Sequence, residues 1–169
     1  WGDPTFQADD NLPGCNSLIV SGTATIDGKT ISTQSQHTPH EALCYQEAYV
    51  LKPDKGNIVW TVGNLPSTSG LLLINNKGVS IAHHFGGATN PKSLEYPGGP
   101  YLSSAFGVPW LNVFLYAAVN ADTAKEAIDL ITVGPKEYRD RTGRASLLRD
   151  GGWNWMVADS STMAVVEVT

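Results

Sequence analysis

Gly14-Cys15-Asn16-Ser17 leads without a break into the run Ser-Leu-Ile-Val-Ser-Gly-Thr-Ala-Thr-Ile-Asp-Gly-Lys-Thr-Ile-Ser-Thr-Gln-Ser-Gln over 17–36, with Asp27-Gly28 at its centre. Asp-Gly between two stretches rich in Thr, Ile and Val signals a two-residue hairpin turn of type I′. Strands are therefore expected over 17–26 and 29–36, with Ile26 opposite Lys29. Carried outward, that register sets Leu18 opposite His37, Ser17 opposite Thr38 and Cys15 opposite His40. Directly opposed residues have Cβ atoms about 4.5–5.5 Å apart. Pro39 ends the second strand, because proline cannot donate to a ladder. A thiol beside an imidazole can hand over its proton and become a thiolate. Cys15 is thus a candidate reactive thiol, with His37 and His40 as its neighbours. The other reading of an unpaired cysteine is a small buried hydrophobe, and the residues alone leave both open.

Beyond the hairpin the chain reads as β, then two helices, then β. Strands are expected over 49–51 and 58–62 around Pro53-Asp54-Lys55-Gly56, and over 71–74 and 79–82 around Asn75-Asn76-Lys77-Gly78. Residues 83–100 carry Gly and Pro with no periodicity and read as a long loop. A helix over 109–119 opens with Pro109 in its first turn. A second, over 123–133, has Thr123-x-x-Glu126 as a capping box and stops at Gly134-Pro135. Its apolar residues Ala124, Ala127, Ile128 and Ile131 share one face, which should pack on a sheet. Trp153–Ala158 and Met163–Val168 form a last strand pair, and Asp159 is expected to close the turn between them. This order predicts a layered α+β domain with helices packed on an antiparallel sheet.

Composition narrows the function. The chain has 169 residues, 41% hydrophobic and 16% charged, enough for one domain with a sizeable core. A formal charge of -5 argues against a nucleic-acid partner, which needs clustered Lys and Arg. No segment approaches the ~20 apolar residues of a membrane span. The chain starts at Trp1, with no initiator Met and no signal-peptide pattern, so it reads as a mature, trimmed or excerpted chain, and removal of an export signal would give it an extracytoplasmic home. Residues 1–13 read as an upstream segment or propeptide remnant, and 14–169 as the domain. The end of the chain inside a strand at Thr169 leads us to expect more polypeptide, either a C-terminal segment or a second chain. Cys15 and Cys44 could pair in an oxidising compartment, which would remove Cys15 as a nucleophile. His37, His40, His83 and His84 lack an accompanying Cys or carboxylate set at ligand spacing, so no metal or organic cofactor is expected.

Several blocks together resemble the N-terminal-nucleophile (Ntn) hydrolases of the C45 type, related to acyl-coenzyme A:6-aminopenicillanate acyltransferase. The blocks are Gly14-Cys15-Asn16-Ser17 with Ala24-Thr25-Ile26-Asp27-Gly28-Lys29, Asn75-Asn76-Lys77-Gly78-Val79, and Gly107-Val108-Pro109 with Ala124-Lys125-Glu126-Ala127. Trp153-Asn154-Trp155-Met156-Val157-Ala158-Asp159 and Val165-Val166-Glu167-Val168 complete the set. The resemblance implies an αββα sandwich and attack on a linear amide C–N bond of a small-molecule substrate through a thioester. It also implies self-cleavage at Gly14-Cys15, which frees the α-amine of Cys15 to act as base. Cys15 falls on the nucleophile and Asn154 on an oxyanion-hole donor. The family's Arg-Asn-x-Asp or Gln-Asn-x-Asp reads Gln34-Ser35-Gln36-His37 here, so His37 stands where the acid would be, as a polar partner for the thiol. Phospholipase-B-like relatives have a similar His-Thr, which keeps a lipid amide or ester open as substrate. A non-catalytic binding domain of this fold, or an unprocessed precursor, are the competing expectations.

Overall fold

In the computed structural model residues 15–36, 46–64, 72–85, 110–133 and 153–168 are described. Among them six strands form one antiparallel sheet in chain order: β3 (Gln46–Leu51), β4 (Val59–Asn64), β5 (Leu72–Asn75), β6 (Ser80–Phe85), β7 (Trp153–Ala158) and β8 (Met163–Val168). Two helices, α1 (Trp110–Asn120) and α2 (Ala124–Thr132), come between β6 and β7. They cover one face of the sheet. A separate two-stranded sheet of β1 (Cys15–Val20) and β2 (Ile31–Gln36) lies against β6 and β7. The fold is α+β, as expected.

Strand alternation explains the layering, since successive side chains leave opposite faces. Val59, Leu73, Ile81, Trp155, Val157 and Val166 point toward the helices and are buried with Val113, Phe114, Ala117, Ala118, Ala124, Ala127 and Ile131. The alanines let both helices approach the sheet closely. The capping box forms as expected, with Thr123 Oγ1 accepting from Glu126 N at 3.2 Å. Glu126 Oε2 reaches back to Asp122 N at 2.7 Å, one residue earlier than the standard motif.

The carbonyls at the end of α1 have no partners within the helix, and two buried asparagines supply them. Asn75 Nδ2 donates to Ala118 O (2.9 Å) and Ala121 O (2.7 Å), while its Oδ1 accepts from Lys77 N and Val79 N at 3.0 Å each. One side chain thus shapes the β5–β6 turn and docks it on α1. Asn57 Nδ2 also donates to Ala121 O, at 2.9 Å. Asp159 does similar work on the other side. Its Oδ1 accepts from Ser161 N (2.7 Å), Ser161 Oγ (2.9 Å) and Thr162 N (2.8 Å), closing the expected β7–β8 turn. Its Oδ2 accepts from Ala124 N at 2.7 Å, so the same carboxylate caps the start of α2.

Two expectations are corrected. The β1–β2 pair is not joined by a two-residue turn: Val20 opposes Ile31, Ser17 opposes Gln34, Leu18 opposes Thr33, and Cys15 opposes Gln36 instead of His40. The ladder stops because Gly22 takes φ of 60° and begins a 3₁₀ turn over Gly22–Ala24. Asp27-Gly28 still turns, with Gly28 N donating to Thr25 O, but it does so inside a longer loop. Thr30 Oγ1 donates to Asp159 O at 2.9 Å and ties that loop to the β7–β8 turn. Secondly, His83 and His84 are not loop residues. β6 runs on to Phe85 because β7 offers it a full ladder from Ser80↔Ala158 to Phe85↔Trp153. Gly14, His37, His40, Cys44, residues 86–100 and Gly134-Pro135 lie outside the described residues.

Candidate functional site

The space between the two sheets is where chemistry-bearing residues meet. Consecutive positions on β6 send His83 and His84 to opposite faces. His83 is buried on the helix side, where its ring meets Phe114 edge-on at 5.0 Å and Trp155 at 6.4 Å. His84 faces β1, and its Nε2 lies 2.6 Å from Ser17 Oγ. This contact joins the two sheets. A second join runs from Gln34 Nε2, opposite Ser17 on β2, to His83 O at 2.6 Å.

Burial disfavours the charged form of His84 and holds its imidazole below the usual histidine value. At neutral pH it is therefore a neutral ring with one nitrogen free to accept. The ring is not sealed off, because Ser17, His84 and Asn154 are all half-buried.

The expected site residues are distributed as follows. Cys15 is the first residue of β1, with one residue between it and Ser17. Asn154 is directly opposite His84 in the β6–β7 register, which puts the two on one face of the sheet with Cβ atoms about 5 Å apart. Glu167 on β8 continues the same row, opposite Asn154. The strand of Cys15 and the residue Asn154, far apart in sequence, thus belong to the same interlayer region. His37 follows β2 directly, outside the described residues.

Sequence reasoning missed the pairing of Ser17 with His84. Along the chain Ser17 is part of a strand start, and His84 is one of four scattered histidines. The signal was indirect: had 83–85 been read as strand, alternation would have separated His83 from His84 and turned His84 away from the helices. With the two rings on opposite faces they cannot ligate one ion together. Among the described residues no group of three or more His, Cys, Asp or Glu is placed to hold a metal.

No family model matches this sequence, and neither does any curated protein. Solved structures do align with it. A mutant of the conjugated bile acid hydrolase from Clostridium perfringens aligns at 10% identity and a TM-score of 0.48, over 92% of this chain and 51% of that one. A second variant of that hydrolase aligns at 11% identity and a TM-score of 0.45, over 93% and 51% respectively. The chain spans about half the length of these structures. Among the described residues no helix is long and apolar enough to cross a membrane.

Proposed function

We propose that this chain carries the nucleophile-bearing part of an Ntn-type amide hydrolase or acyltransferase, with Cys15 as the attacking thiol. The observation that carries the reading is the Ser17–His84 join, which brings the strand begun by Cys15 against the strands of His84 and Asn154. Cys15 Sγ adds to the carbonyl carbon of a linear amide, the C–N bond breaks, and the amine leaves with a proton. Water or a second amine then takes the acyl group from the thioester. Cleavage of Gly14-Cys15 frees the α-amine that serves as base. The side-chain amide of Asn154 donates to the oxyanion, and His37 is the polar partner of the thiol.

A second observation favours a partner segment. Among the described residues, nothing covers over β3–β5 the sheet face that β1 and β2 cover over β6–β7, and there Ala48, Val50, Trp60, Val62, Leu72 and Ile74 line an apolar groove of about 250 Å³. Trp60 is 45% exposed and Val62 47%. We assign this face to a further β layer supplied by a C-terminal segment of the precursor or by a second chain.

Intact-mass analysis tests the enzyme reading. Loss of residues 1–14 from the purified protein, with iodoacetamide labelling at Cys15, is the expected result, and Cys15→Ala should abolish processing and amide turnover. A full-length protein whose Cys15 resists iodoacetamide would refute it and leave a binding domain of the same architecture.

A further inference from the structure

We propose that Ser17 and His84 are a second nucleophile–base pair in the interlayer space, one that opens carboxylic esters through an acyl-serine and does not use Cys15. This goes beyond the amidase reading and stands or falls separately from it.

The geometry is that of an activated hydroxyl. Ser17 Oγ and His84 Nε2 are 2.6 Å apart, within the range in which a base takes a proton from a nucleophile. A neutral imidazole protonated at Nδ1 presents its Nε2 lone pair to the hydroxyl, so the Oγ–H donates. Both residues sit on regular strands of different sheets, which fixes their separation more firmly than a loop would. The oxyanion needs a donor close by, and two amides are within register reach. Gln34 is opposite Ser17, but its Nε2 is committed to His83 O at 2.6 Å. Asn154 is opposite His84 on the same face and is the amide we assign to the oxyanion.

The step balances within these groups and water. His84 Nε2 takes the Ser17 proton as Oγ bonds to the ester carbonyl carbon. The tetrahedral oxyanion rests on the Asn154 amide. The C–O bond to the alcohol then breaks, and Nε2 delivers its proton to the departing oxygen. Water adds to the acyl-serine with the same histidine taking its proton. The Oγ–C bond breaks, Oγ recovers the proton, and the carboxylic acid leaves.

The test is adduct mapping on the full chain. Wild-type and Cys15→Ala proteins are exposed to p-nitrophenyl butyrate or to diisopropyl fluorophosphate, quenched in acid and mapped by tandem mass spectrometry. Butyryl and phosphoryl adducts on Ser17 in both proteins are expected, and His84→Gln, which keeps a polar partner for Oγ, should slow adduct formation by at least about 10²-fold. A thermal melt of His84→Gln within a few degrees of wild type shows that the loss is chemical. Adducts confined to Cys15, or absent altogether, overturn the proposal, as does a His84→Gln protein that labels at the wild-type rate. Adducts on Cys15 alone would leave the amidase reading intact. Labelled Ser17 beside an inert Cys15 would refute that reading and uphold this one.

Discussion

Replacing Asp159 by asparagine separates the two jobs of its carboxylate. The amide can keep the oxygen that accepts from Ser161 N, Ser161 Oγ and Thr162 N, but it turns an NH₂ toward Ala124 N, which Oδ2 meets at 2.7 Å. Ala124 is buried at the first turn of α2. Losing a bond to a charged acceptor there costs about 1.5–3 kcal/mol, and losing the negative charge at a helix N-terminus adds about 0.3–1 kcal/mol. The expected loss is about 2–4 kcal/mol, which for a chain of this size lowers the melting temperature by roughly 5–15 °C. Asp159→Ala should cost more, since the turn loses its acceptor too.

Urea unfolding followed by circular dichroism measures this, with an unchanged slope and a lower midpoint as the expected pattern. Burial raises the Asp159 pKa, but the hydrogen bonds from Ala124, Ser161 and Thr162 outweigh it and hold the carboxyl below its usual range. The folded state therefore binds the proton less readily than the unfolded chain. Stability from this group is complete above the ordinary aspartate value near ~3.9 and is lost as pH falls through the depressed folded value. Wild type should lose stability across that window, while Asp159→Asn gains no such slope. An unfolding free energy for Asp159→Asn within about 0.5 kcal/mol of wild type, or equal losses for Asn and Ala, would refute the division of labour.

Gly56→Ala should destabilise by about 2–4 kcal/mol, combining overpacking with a strained backbone. Gly56 has φ of 100°, and a Cβ there would come within 2.5 Å of Val119 Cγ1 and 2.7 Å of Val119 O; a urea midpoint equal to wild type would contradict that contact. Asn75→Ala takes the side-chain partner from Ala118 O and from the N–H groups of Lys77 and Val79, leaves Ala121 O with Asn57, and should cost about 3–5 kcal/mol in the same assay. Under the proposed amidase function, Asn154→Ala should lower kcat by about 10²–10³ with little change in KM. An equal rise in KM would instead mark Asn154 as a ground-state binding group.

Local chemistry made some elements legible. Trp153–Ala158 and Met163–Val168, two apolar runs either side of the Asp159 turn, were readable as strands with their observed bounds, and Thr123-x-x-Glu126 located the start of α2. The turn at Asn75-Asn76-Lys77-Gly78 was readable because asparagine and glycine carry the turn within four residues. The β1–β2 register was not readable. Asp27-Gly28 is a strong turn signal, yet Gly22 offered a competing break, and Thr30 was held by Asp159, which lies 129 residues away in the chain. Local turn propensity is worth less than such an anchor combined with the packing of a whole strand pair.

The site divides along the same line. Residue type and spacing along the chain singled out Cys15 and called for helices on an antiparallel sheet, because those signals act within a few residues of each other, whereas Asn154 entered only through the family resemblance. Which strand lies over which depended on stacking two sheets. That stacking made Ser17 the partner of His84, while the β6–β7 ladder set Asn154 beside His84 and the packing of α1 on the sheet placed His83 against Phe114. Contacts of this kind join residues whose separation in the chain carries no period, so no window of sequence contains them.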